Sequence, residues 1–218
     1  MQDFYLPYLI NYSQPVAEDI VIFCVAVLTA ILVSAEGQAI VATLLGDARR
    51  GAKDRFHFNV FMHMSILGTL SFFVGGFGWA KEIAVNTRKF KRFPRFFLIL
   101  SRLAGPLANL LMANIAASLA WILGKWGFED KVFSTIVVVN VSVALYSLLP
   151  IAPLPGASVL WAIFPSGLAS QIVKRIACKV GPYCIVAFFL IVRLTGWEGV
   201  SNIFNPFVLS LSTFILKF

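Results

Sequence analysis

Glu36 stands alone in an apolar run, Ala30-Ile31-Leu32-Val33-Ser34-Ala35-Glu36-Gly37-Gln38-Ala39-Ile40-Val41. A carboxyl group at membrane depth is costly and is often functional. The functional readings are a proton relay, an ion site or a contact to a partner's arginine. The structural reading is a paired group bonded to Gln38, Asn109 or the backbone. The chain's two histidines, His57 and His63, follow in the next segment. His57 neighbours Arg55 and reads as solvated. Asn109 and Asn140 fall inside later apolar runs and read as buried amides that tie helices together, each worth around 1 kcal/mol. Other chemistries are harder to assemble. Nucleophilic hydrolysis needs a Ser or Cys beside a base, and no G-x-S-x-G elbow is present. No P-loop or dinucleotide fingerprint occurs either. Cys24, Cys178 and Cys184 are scattered with no Cys-x-x-Cys pair, so they suggest neither a disulfide framework nor a zinc knuckle.

The elements that must position these groups are membrane helices. Hydrophobic residues make up 59% of the 218-residue chain and charged residues 13%, far from the soluble average. Spanning a hydrocarbon core takes roughly 20 helical residues, and several runs approach that length. One helix is expected from about Asp19 to Leu45, ended by Gly46-Asp47. Others are expected from Phe96 to Leu123 with Pro106 as a kink, from Val132 to Leu149 ended by Pro150, from Val180 to Leu194, and from Val200 to Leu216. The glycine-rich stretch Val60 to Trp79 differs, because basic loops flank it on both sides: Arg49 to Arg55, and Arg88 to Arg95. Both of its ends are then on one side, which predicts a re-entrant or strand-like element packed in protein. The fold class expected is an all-α integral membrane protein with about five transmembrane helices plus that element, forming one membrane-embedded domain over residues 1–218.

The net charge of +8 is read as the positive-inside distribution of Lys and Arg in short loops, not as a nucleic-acid surface. With the basic loops inside, the amino terminus is outside and the carboxyl terminus inside. The first residues lack a basic n-region, so no cleavable signal peptide is expected and the first span serves as its own insertion signal.

Five segments, in order, carry a family likeness. Ala35-Glu36-Gly37-Gln38-Ala39 stands where a metalloprotease helix has H-E-x-x-H, two imidazoles one turn apart with a glutamate as general base, and Gly46-Asp47 follows it. Asn59-Val60-Phe61-Met62-His63-Met64-Ser65-Ile66-Leu67-Gly68 comes next, then Phe77-Gly78-Trp79-Ala80-Lys81 with Val85-Asn86. Ala104-Gly105-Pro106-Leu107-Ala108-Asn109 and Leu148-Leu149-Pro150-Ile151-Ala152-Pro153-Leu154-Pro155-Gly156 complete the series. Together, over residues 34–156, they resemble the site-2 protease family of intramembrane metalloproteases in its small bacterial branch. Residues 157–218 supply two further helices without a usable motif.

The resemblance implies three zinc ligands at the positions of Ala35, Ala39 and Pro155, and none of these residues offers a metal donor. A catalytic zinc needs about three protein ligands plus a water, and its hydroxide forms only once the metal is held. The chain is therefore expected to have no cofactor, no metal and no enzymatic activity: a pseudoprotease, with Ala35, Glu36, Ala39 and Pro155 as degenerate positions. In the family the histidine matching His63 is not a ligand, and the amide matching Asn109 lies near the active cavity. Glu36, His63, Asn109 and Asn140 are left as structural or partner contacts.

The function expected is a structural or accessory subunit of a larger membrane complex, with other membrane subunits and lipid as partners, in a bacterial cytoplasmic (inner) membrane. The aromatic content of 14%, including 21 Phe, suits either lipid-facing positions or an interaction surface. A regulator that binds a client transmembrane segment by strand addition without cutting it is the alternative. An active zinc protease with a relocated site, using His63, Glu36 and a cysteine, and a proton or ion channel centred on Glu36 are the weaker ones.

Overall fold

The computed structural model describes residues 10, 14–47, 58–90, 92–128, 130–164, 167–195 and 199–217. Among them the fold is all-helical, with no strands. The order is α1 (Ala17–Leu44), α2 (Val60–His63), α3 (Ile66–Gly75), a 3-10 turn (Thr87–Lys89), α4 (Pro94–Lys125), α5 (Val132–Tyr146), α6 (Pro155–Ile163), α7 (Leu168–Thr195) and α8 (Gly199–Leu216). The basic loop Arg49 to Arg55, with His57, lies outside the described residues.

Among the described residues three helices are long and apolar enough to cross a membrane: Ala17–Leu44, Pro94–Lys125 and Ser170–Thr195. By length and composition this is a membrane protein. Helix α5 has 15 residues and is mostly buried, from Ile136 to Ala144 without a break. It is the central helix, packed between α1, α4 and α8. Its core position explains why a run of Val and Ile reads as a span in the sequence: a helix apolar all round is either a span or a core helix.

The α1–α4 crossing is built from small residues. A Cβ placed on Gly37 would lie 2.6 Å from the Ala108 Cβ and 3.1 Å from the Ala104 carbonyl oxygen, so glycine lets the two backbones touch. Close approach through small residues is how helices gain contact where lipid is as apolar as leucine. Pro106 lies inside α4, which runs continuously through it.

The glycine-rich stretch forms a tight turnaround. Asn59 and Ser65 cap α2 and α3 through their side chains, each accepting a backbone N–H. Helix α3 has 10 residues, about 15 Å at 1.5 Å per residue, half of a hydrocarbon core. Gly76 then ends it in the left-handed region at φ 68°, and residues 77–86 return as an extended strap. The strap meets α2 at an isolated antiparallel bridge between Met64 and Ala80, with the Lys81 N–H donating to the His63 carbonyl at 2.7 Å. A Cβ on Gly68 would fall 2.1 Å from the Trp79 carbonyl oxygen, so α3 and the strap pack backbone against backbone.

Two boundaries differ from expectation. Helix α7 begins at Leu168, twelve residues before the expected Val180, so Lys174, Arg175 and Lys179 are on the helix and not ahead of it. Pro155-Gly156 reads as turn chemistry but opens α6, with Pro155 in its first turn, where a missing N–H costs nothing.

Candidate functional site

Helix α1 turns Ala35, Glu36, Gln38 and Ala39 toward the interior, all at 5% exposure or less. Ala35 and Ala39 are fully buried, one helical turn apart, and form a small apolar cluster with Ile83 of the strap, flanked by Ala80. The space beside these two methyl groups is filled by an isoleucine.

Glu36 points to a different neighbour. Its Oε1 lies 3.2 Å from His63 Nε2 at the end of α2, and it accepts the Phe58 backbone N–H at 3.3 Å. Its Oε2 is buried without a hydrogen-bond partner. The expected partners Gln38 and Asn109 are not the ones used. Gln38 instead turns its amide to the Ser34 carbonyl and to Arg102. Asn109 and Asn140, both 0% exposed, do not tie helices together as expected. Asn140 donates to the Ile136 carbonyl of its own helix at 2.8 Å, and neither polar atom of the Asn109 side chain has a hydrogen-bond partner.

The largest surprise is a buried arginine. Arg102, on α4, is 6% exposed. Its Nη1 donates to Gln38 Oε1 at 3.1 Å and to the Ile83 carbonyl at 3.0 Å, and its Nη2 donates to Glu82 Oε1 at 2.6 Å. Ser158 of α6 donates to the same Glu82 oxygen at 3.3 Å. One guanidinium thus joins α1, the strap and α4, and α6 reaches the network through Glu82. Removing such a cation from water is expensive unless its donors are met, and the fork geometry of arginine meets several at once. The sequence carried the signal: Arg102 is a lone charge inside the apolar run from Phe96 to Leu123, which is a site marker in membranes.

A second tie holds the far end of the strap. Asp47, just past α1, is fully buried, and its Oδ2 accepts the Asn86 backbone N–H at 2.8 Å. Asn86 in turn caps the 3-10 turn by accepting the Arg88 N–H. The segments Gly46-Asp47 and Val85-Asn86, noted separately in the sequence, meet here.

A pocket opens beside Arg102, between α1, the strap, α5 and α6. Pro155 lines it with Ser34, Gln38, Trp79 and Ser158. Of the positions where zinc ligands were implied, Ala35 and Ala39 are adjacent under Ile83 and Pro155 stands at this neighbouring pocket. A methyl pair under an isoleucine and a proline ring supply no lone pair, so the residues at these positions do not fit a zinc ion. Among the described residues no group of three or more His, Cys, Asp or Glu side chains is placed to hold a metal.

A Bacillus subtilis (strain 168) protein named "Putative zinc metalloprotease YwhC" is 33% identical to this chain over 145 residues, 62% of this chain and 66% of that protein. The likeness supports a metalloprotease-like family. The aligned part spans just under two thirds of that relative's length. No protein-family model matches the chain, and no solved structure does. The expectation that the chain is not an enzyme is corrected by this finding: the relative's name points to a protease. The inference failed because it passed from three side-chain identities to the absence of any activity, a step that ligand chemistry alone does not carry.

Proposed function

We propose that this chain is a metalloprotease-like protein of the site-2 type that acts as an accessory subunit of a larger membrane complex. The observation that carries the reading is the Ala35–Ala39–Ile83 cluster: where a metal shell is implied, this core is packed with apolar groups and cross-tied by Arg102. Such packing supports a fixed shape, and shape with exposed apolar helix faces is what a membrane subunit offers its neighbours. In this reading the chain crosses a bacterial cytoplasmic membrane about five times, amino terminus outside, with residues 60–79 entering and leaving on one side.

The test is purification of the tagged chain from its native membrane. Partner proteins in stoichiometric amount are expected, their level should fall when the gene is deleted, and Glu36→Gln should leave the complex at its normal level. A chain that purifies alone, with deletion leaving other membrane complexes unchanged, would sink the proposal.

A second reading is favoured by the Glu36–His63 contact. Hydrolysis by this chain would have to start from that buried carboxylate and imidazole, since they are the acid–base pair its core holds. It predicts that a membrane substrate accumulates uncut in cells carrying Glu36→Gln, while the complex forms normally.

A further inference from the structure

The pocket beside Arg102 has an unbalanced set of polar groups. Its charged side chains are Lys81, Glu82 and Arg102, two cations against one anion. Arg102 is more than nine-tenths buried, and its Nε–H has no acceptor. Its Nη1 is committed to Gln38 and the Ile83 carbonyl, and among the described residues the charge in contact with the guanidinium is Glu82. That carboxylate is the weakest-held member of the group. Its side chain is 45% exposed, on an extended strap, whereas Arg102 is fixed on a long helix.

The hydroxyls of Ser34 and Ser158 line the same pocket and can donate, Ser158 doing so now to Glu82, while Ser147 gives its proton to the Ala144 carbonyl. Its other walls are apolar, from Trp79, Val143, Pro153 and Pro155. The free volume is about 20 Å³, room for about one water, so an organic ligand fits here only where a resident side chain gives way. A planar guanidinium with a spare donor beside hydroxyls selects a planar oxyanion, which can take two parallel N–H bonds.

We propose that this pocket binds an organic carboxylate, whose carboxyl group takes the place of Glu82 on Arg102 and whose short apolar portion rests against Trp79 and the two prolines. Glu82 acts as the resident competitor: it holds the site closed by satisfying Arg102 from within the chain. The carboxylate can be a free small acid or the terminal carboxylate of a polypeptide, and the two share this recognition chemistry.

The experiment uses the purified full chain in lipid nanodiscs, with melting temperature and calorimetric titration as readouts. The probes are sodium propionate, sodium phosphate and sodium chloride at equal ionic strength, and a short N-acetylated peptide with either a free carboxylate or a carboxamide end. Propionate is expected to raise the melting temperature saturably, as a ligand of the folded state must, while chloride does not. Glu82→Gln should bind propionate several-fold more tightly, because the rival charge is gone and the amide keeps its size. Arg102→Met should abolish the effect. If Arg102→Met fails to fold, the Glu82→Gln arm still decides: unchanged or weaker binding there overturns the proposal. No saturable response in either the parent chain or Glu82→Gln overturns it too, as does stronger binding of phosphate than of propionate. Tighter binding of the free-carboxylate peptide than of propionate assigns the site to a polypeptide terminus. Equal or weaker peptide binding, with propionate still held, assigns it to free acids.

Discussion

Glu36 on α1 and His63 at the end of α2 meet through a 3.2 Å contact between Oε1 and Nε2, and both side chains are buried. The contact joins two segments 27 residues apart, and it fixes where the chain re-enters the core after the basic loop. Glu36 also accepts the Phe58 N–H, so one oxygen serves two donors. Glu36→Ala should therefore cost about 1–3 kcal/mol, the usual penalty for stranding buried polar partners. Glu36→Gln should cost clearly less, since the amide oxygen can replace Oε1. Thermal unfolding in detergent checks the order of the two variants. Equal loss would mean that the negative charge itself, and not hydrogen bonding, holds His63.

The small-residue crossing of α1 and α4 makes a prediction of its own. Gly37→Val places its Cβ 2.6 Å from the Ala108 Cβ, and overpacking of this kind typically costs 1–3 kcal/mol. Gly124→Ala is the control, since a Cβ there meets nothing within 4 Å. It should be neutral or slightly stabilising, because alanine is the better helix former. Comparing unfolding midpoints separates crowding at the crossing from a general effect of adding side chains to glycines.

What could be read from the sequence was the part fixed by local chemistry. The apolar runs placed α1, α4, α5 and α8 near their observed positions, and the stretch 60–79 holds helices of 4 and 10 residues in place of one long helix. Glu36 stood out because a charge in an apolar run has few explanations. Its partner His63 was paired with it only in the relocated-site alternative, since nothing local ties Glu36 to a histidine 27 residues on. Arg102 obeys the same logic as Glu36, as the one charge in the apolar run from Phe96 to Leu123. Only the fold brings Glu82, on an extended strap, beside it. Asn109 and Asn140 show the opposite failure: burial was evident, but a buried amide bonds across helices only if the facing helix offers a polar group at the same level.

Lys131, at the start of α5, is bonded to Asp19 at the start of α1. That hydrogen bond and the nearby acidic charges hold its ammonium above the ordinary lysine range. A group whose pKa is raised by folding stabilises the fold fully below its unfolded value, about 10.4 for lysine, and loses that contribution as pH climbs through the higher folded value. Lys131→Met should thus lower the melting temperature slightly at pH 8 and narrow its gap to the parent chain above about pH 10. The pair is exposed to solvent, so added salt should shrink the difference as well.

Membrane sidedness can be tested by placing single cysteines at Lys53 and Lys91 in a chain with its own cysteines removed. If residues 60–79 enter and leave on one side, a membrane-impermeant thiol reagent should label both positions from the same face. Labelling from opposite faces would add a true span and reverse the orientation of everything after it.

The apolar cluster under the strap gives the sharpest test of how this core relates to a metal centre. Ala35 and Ala39 are each 0% exposed and lie against Ile83, so two imidazoles at these positions have no room while the isoleucine stays. The variant Ala35→His, Ala39→His, Pro155→Asp should be less stable than the parent and should not hold zinc stoichiometrically. Adding Ile83→Ala removes the obstructing side chain but keeps the Ile83 carbonyl that Arg102 binds, so the strap stays anchored. Zinc uptake should appear only in that fourfold variant, since a tetrahedral site needs its ligands and the space between them together. Elemental analysis after purification reads the outcome directly. One zinc per chain in the threefold variant, with Ile83 in place, would show that the strap lifts easily and that the cluster is not what excludes the metal.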